Sequence, residues 1–134
     1  MIRLAPVPRD RLEEIWPSIA GLIEQAYRAT DAAFDPDHLL DEGKDGRRQF
    51  WTITDDRGFL AAMETQVVGR RIIINALAGT DMRGWLRLAE RQLIDIATSH
   101  GLTGIELDGR LGWQRLLPDY RVARVTLRKD FRHG

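Results

Sequence analysis

Residues 72–78 read Ile, Ile, Ile, Asn, Ala, Leu, Ala and are apolar on both faces of an extended chain. Only a strand covered on both sides hides such a run from water, so a central position in a sheet is predicted. Gly79 follows as a turn, and Thr80 or Asp81 is the expected N-cap of a helix over 82–100. Leu86, Ala89, Leu93, Ile96 and Ala97 share one face of that helix, and Gly101 is the expected C-cap. Residues 104–108 then form a strand. A strand, a helix and a strand in succession place the two strands parallel, with the helix against one face of the sheet.

The rest of the chain supplies elements to complete that sheet. Residues 2–7 suit a short edge strand that ends at the prolines 6 and 8. Asp10 and Glu13 have capping-box spacing. Leu12, Ile15, Trp16, Ile19, Leu22 and Ile23 then recur at helical intervals. Pro17 interrupts this pattern and predicts a short first turn with a restart at the proline. A brief helix is expected over 35–43. Strands over 48–54 and 59–68 join through the turn 55–58 as a hairpin. A short helix over 112–117 ends at Pro118, and alternation over 121–131 predicts a last strand. The order is β-α-α-β-β-β-α-β-α-β, an α/β (α+β) mixed sheet flanked by helices. With 134 residues, 43% apolar and 30% charged, the chain is expected to be a single domain over 1–134.

Several functions are excluded or weakened. The apolar runs 60–63 and 72–74 fall far short of the roughly 20 residues that span a bilayer, so no membrane partner is expected. The opening residues lack a basic start and an apolar stretch, which predicts a cytoplasmic protein. There is no cysteine, and His38, His100 and His133 are scattered, so no metal site is expected. Residues 1–70 carry 9 basic and 13 acidic side chains, whereas residues 110–134 carry 7 and 2. This C-terminal bias alone supports nucleic-acid binding, which is disfavoured on that ground.

The turn at Gly79 is the most suggestive point for chemistry. Backbone amides and the positive end of the helix dipole meet there and favour an anion. Arg83, Arg87 and Arg91 recur every four residues, as a cationic rail for a nucleotide phosphate or as a solvated helix face.

Particular residues carry a resemblance along nearly the whole chain. They are Trp16 and Pro17; Gln49, Phe50 and Trp51; Leu77, Ala78 and Gly79 ahead of Trp85 and Leu86; Gly109, Arg110, Gly112 and Trp113; and Leu127, Arg128 and Lys129. With the element order, they make the chain resemble the GCN5-related N-acetyltransferase (GNAT) fold, and within it the small proteins encoded by phages and prophages. Gly109-Arg110-x-Gly112-Trp113 is the most specific element. The resemblance implies an acyl-CoA-dependent N-acyltransferase in which the central strand and the strand after the crossover helix part around acetyl-CoA or CoA. Leu77 and Ala78 would line the pantetheine, and Gly79, Arg83, Gly84 and Arg87 would meet the pyrophosphate. The family's loop, Gln/Arg-x-x-Gly-x-Gly/Ala, is degenerate here, with Gly79 at its first position and Met82 at its first glycine. The tyrosine that acts as general acid in many members is replaced by Arg115, five residues before Tyr120.

Acyl transfer to an amine needs a carboxylate to take the ammonium proton. Glu106 and Asp108 on the 104–108 strand rank first, and Glu64 follows. An ion-paired structural role with Arg110 and Arg115 stands beside that reading. Trp113 would stack on a planar group or anchor the short helix. The acceptor would be a small-molecule or protein amine. The alternative is a catalytically inactive GNAT-like protein of a phage or prophage, virion-associated or bound to a host protein; oligomerisation is left open.

Overall fold

The computed structural model describes residues 1–110 and 112–132. Leu111, the variable position of the Gly-Arg-x-Gly-Trp element, and His133 lie outside them. The elements are β1 (Arg3–Pro6), α1 (Arg9–Ala29), α2 (Pro36–Lys44), β2 (Gln49–Asp55), β3 (Gly58–Val68), β4 (Arg71–Gly79), α3 (Met82–Ser99), β5 (Gly104–Leu107) and α4 (Trp113–Leu116).

The five strands form one sheet in the order β1-β2-β3-β4-β5. Neighbours are antiparallel except β4 and β5, which run parallel because α3 carries the chain back between them. One face is covered by α3, whose Trp85, Leu86, Ala89 and Leu93 are buried with Ile53, Met63 and Leu77 of the sheet. The other is covered by α1 and α2, where Leu12, Ile19, Ile23 and Leu39 enclose Phe50 and Ala76. The apolar run of β4 is therefore buried from both sides, as its composition requires.

The β3–β4 pairing shifts register between Glu64 and Thr65, which face Ala76 and Ile74 in turn. Asn75 is the extra residue of a β-bulge, a feature that bends a strand and tightens its twist.

Four local expectations are corrected. Helix α1 runs unbroken from Arg9 to Ala29 with Pro17 inside it. Its apolar stripe continues across the proline, and burial of that stripe outweighs the lost hydrogen bond. Asp10 does not cap α1. Pro8 holds the N-cap position with no side-chain bond, and Asp10 sits in the first turn, where its charge suits the helix dipole. Helix α3 ends at Ser99 with His100 as C-cap, and Gly101 follows with φ 77°, a conformation glycine adopts without strain. The strand expected over 121–131 is absent. Residues 121–132 are exposed and outside any element, with Leu127 91% and Phe131 86% exposed, so their alternating pattern meets no sheet edge.

Candidate functional site

Strands β4 and β5 are paired from Arg71 opposite Gly104 to Ile74 opposite Leu107. One more bond follows, from the Asp108 N–H to the Ile74 carbonyl at 3.0 Å. Beyond it β4 continues through residues 75–79 against β3, and no described residue pairs as a strand with its other edge. The parting begins at the bulged Asn75. The ladder with β5 thus stops one residue before the bulge, where β4 bends locally.

On the α3 side of this fork, Ile74, Leu77, Leu107 and Leu117 enclose an apolar gap of about 30 Å³. Trp85 is buried in the core on that side, and its indole N–H donates to the Thr80 carbonyl at 2.6 Å. Leu77 and Ala78 are buried at the fork. Gly79 is forced by packing on β3, since a Cβ there would lie 2.4 Å from the Ala61 Cβ and from the Leu60 carbonyl.

The turn into α3 carries an unexpected charge. Asp81 occupies the N-cap position in the left-handed conformation, φ 54°, and makes no side-chain capping bond. Its carboxylate Oδ2 stands 3.0 Å from the place a Cβ on Gly84 would take. The Gly84 N–H donates back to the Asp81 carbonyl at 3.0 Å. Arg83 is exposed. Arg87 donates to Glu90 at 2.8 Å and also to Asp119, beyond α4. The Arg87 guanidinium holds the Asp119 carboxyl below its ordinary pKa.

The three candidate proton acceptors are not brought together. Ile105 and Leu107 pack into the α3-side core, so Glu106 faces away from α3. It accepts from Arg124 and lies 3.7 Å from Arg71; Arg110 and Arg115, the expected partners, make no ion pair with it among the described residues. Asp108 is exposed at the base of the fork. Glu64 is wholly buried on the α1 side. It accepts from the Tyr27 hydroxyl at 2.7 Å, from Asn75 Nδ2 at 3.2 Å and from Arg48. Arg48 also donates to Glu42 at 3.1 Å, and His38 lies 2.8 Å from Glu42. Burial, reinforced by the Glu64 charge, pushes the Tyr27 hydroxyl above its ordinary pKa.

Gly109 and Trp113 belong together. A Cβ at 109 would come within 2.8 Å of the Trp113 ring, so the glycine makes room for the half-buried indole. Arg110 and Gly112 are exposed; their carbonyls accept the N–H groups of Trp113 and Arg115 and shape the turn into α4. Tyr120 is half-buried beside Glu90, and burial followed by that carboxylate raises its pKa. Among the described residues, no group of three His, Cys, Asp or Glu side chains could hold a metal ion. No helix of the described residues is long and apolar enough to cross a membrane.

Tyr27, Arg48, Asn75 and Asp119 are absent from the sequence reading of the site, and Asp81 entered it only as an expected N-cap. Asn75 had a signal, as the one polar residue in 72–78. Tyr27, Arg48 and Asp119 lie far apart in sequence from Glu64 and Arg87, the groups they meet.

No protein-family model matches the chain, and no curated protein matches it in sequence. Solved structures do match. A predicted acetyltransferase with acetyl-CoA from Clostridium acetobutylicum has TM-score 0.67 at 8% identity, covering 97% of this chain and 96% of that one. The ribosomal-protein-alanine N-acetyltransferase of Brucella melitensis biovar Abortus 2308 has TM-score 0.65 at 10% identity, covering 98% and 99%. An aminoglycoside acetyltransferase from an uncultured soil metagenomic sample, in complex with sisomicin, has TM-score 0.62 at 12% identity, covering 99% and 93%. The fold is GNAT-like. In this GNAT-like chain the fork lies where β4, the bulge and the start of α3 meet.

Proposed function

We propose that residues 1–134 act as one domain, an acyl-thioester-dependent N-acyltransferase of the cytoplasm, with acetyl-CoA as the first donor to test. The observation that carries this reading is the end of the β4–β5 ladder beyond Ile74, which leaves residues 75–79 with one peptide edge unpaired by any strand among the described residues. The amide groups of a pantetheine arm match such an edge as an added strand does, and buried Leu77 and Ala78 flank it. The carbonyl end of the arm then lies toward the base of the fork.

The amine acceptor attacks the thioester carbonyl carbon, the C–N bond forms and the C–S bond breaks. Exposed Asp108 is positioned to take the ammonium proton directly or through water. Glu106 carries ion pairs with Arg124 and Arg71, and Glu64 has three donors and no exposure, so both serve this reading less well. Arg115 offers no proton to the leaving thiolate. A thiol of ordinary pKa near 8.5 leaves as thiolate and takes its proton from water. The nearest support for the acceptor class is the sisomicin-bound neighbour, whose ligand is an aminoglycoside; small-molecule amines come first, and protein amines second.

Calorimetry with acetyl-CoA and CoA, with and without Gly84→Asp, tests the donor site. Release of free thiol in the presence of an aminoglycoside or a peptide amine tests transfer. Asp108→Asn is expected to lower kcat by about 10²- to 10⁴-fold with donor affinity unchanged. No heat with either donor and no thiol release defeats the reading.

The engaged Arg87 and the Asp81 carboxylate favour a second reading. In it the fold is kept without catalysis, in a phage or prophage component that binds a virion or host protein. Absence of donor binding together with capture of such a partner supports it.

A further inference from the structure

The two ends of the donor path differ in what they accept. The peptide edge of 75–79 and the buried Leu77 and Ala78 suit an amide-rich, uncharged arm. The turn into α3 presents Asp81 where a diphosphate would rest, its carboxylate lying over Gly84. The positive end of the α3 dipole thus already faces an anion of the chain itself. Arg87, one turn further along, gives its guanidinium to Glu90 and Asp119, so its charge is balanced twice. Of the expected arginine row, Arg83 and Arg91 are exposed without an ion pair among the described residues. Arg91 lies about two turns further along α3, and only Arg83 stands in its first turn, opposite in sign to Asp81. A nucleotide diphosphate entering here meets about as much negative charge as positive.

We infer that donor recognition ends at the pantetheine arm, so that an acyl-pantetheine thioester lacking the nucleotide diphosphate is taken as readily as acyl-CoA. This deepens the acyltransferase reading and rests on it. The shared chemistry is the thioester on pantetheine, either free or on the phosphopantetheine of a carrier protein.

The test compares binding of CoA and pantetheine by calorimetry, and thiol release or turnover from acetyl-CoA, S-acetylpantetheine and an acetylated phosphopantetheinyl carrier protein. Dissociation constants for pantetheine and CoA within about threefold of each other are expected. Asp81→Asn removes the charge with a residue that still tolerates the left-handed conformation. It is expected to tighten CoA about 5- to 10-fold and leave pantetheine unchanged. Asp119→Asn, which leaves Arg87 paired with Glu90 alone, is expected to act in the same direction, more weakly. Turnover with the carrier protein far above S-acetylpantetheine identifies the carrier as the source, and equal turnover identifies the free thioester. CoA binding more than tenfold tighter than pantetheine, or no response of CoA affinity to Asp81→Asn, overturns the inference while the acyltransferase reading stands. Binding of neither ligand overturns both.

Discussion

Glu64 shows how a single side chain changes meaning when its neighbours are known. In the sequence it is a carboxylate on a strand, and a proton acceptor is a fair reading. In the fold it is wholly buried and accepts from Tyr27, Arg48 and Asn75. It joins α1, the start of β2 and the bulge of β4. Removing one partner of a buried charged network leaves the others desolvated and unmatched. Glu64→Ala is therefore expected to destabilise the protein by about 3–5 kcal/mol, read as a lower midpoint in urea. Glu64→Gln, which keeps an acceptor for Tyr27, is expected to lose less. Asp108 differs from Glu64 in being exposed, just where the ladder ends at its own N–H. Asp81 was legible as an N-cap, but its left-handed backbone and its lack of a capping bond were not. Asp119 was not legible, since it meets Arg87 only across space.

Among the elements, α1, the hairpin, α3 and β5 were legible because each carries a period matched to the face it buries, and β4 because it is apolar on both faces. Pro17 misled for a physical reason. The proline removes one backbone bond, but Leu12, Ile19 and Ile23 on either side of it are buried by the same sheet face, so tertiary packing holds both halves in one helix. The bulge was marked only by Asn75, and the end of the β4–β5 ladder beside it is a matter of pairing that no period encodes. The segment after α4 misled in the opposite sense. Val122, Val125 and Leu127 alternate with polar residues, yet they remain exposed. Arg124 and Arg128 hold this segment only through surface pairs with Glu106 and Asp31, which contribute little. Limited trypsin digestion is expected to cut first after Arg121, Arg124 or Arg128, leaving the far-UV circular dichroism of the remaining fragment nearly unchanged. First cuts within α1 or α3 would contradict this arrangement.

Across the whole molecule the sheet separates two cores, and each contains one of the chain's two tyrosines. Both hydroxyls have raised pKa values, first through burial and then through a facing glutamate, Glu64 for Tyr27 and Glu90 for Tyr120. A group whose folded pKa lies above its unfolded value adds stability that is complete below the unfolded pKa. That stability is lost as pH rises toward the folded value. With the ordinary tyrosine value of 10.0, stability is expected to hold through neutral pH and to fall above about pH 10. Absorbance at 295 nm should show neither phenolate forming until the protein unfolds. An ordinary tyrosine titration curve in the folded protein would place the hydroxyls in water instead.

The sequence alone determined the order of the elements from β1 to α4, because the spacing of apolar residues along the chain dictates which face each element must hide. It also determined that a strand–turn–helix junction would sit at Gly79. The tertiary structure decided where the β4–β5 ladder ends, which carboxylate stays exposed there, and which ones are paired with arginines. Those outcomes depend on the distance between side chains far apart in the chain, and charge and hydrogen bonding act only across such distances.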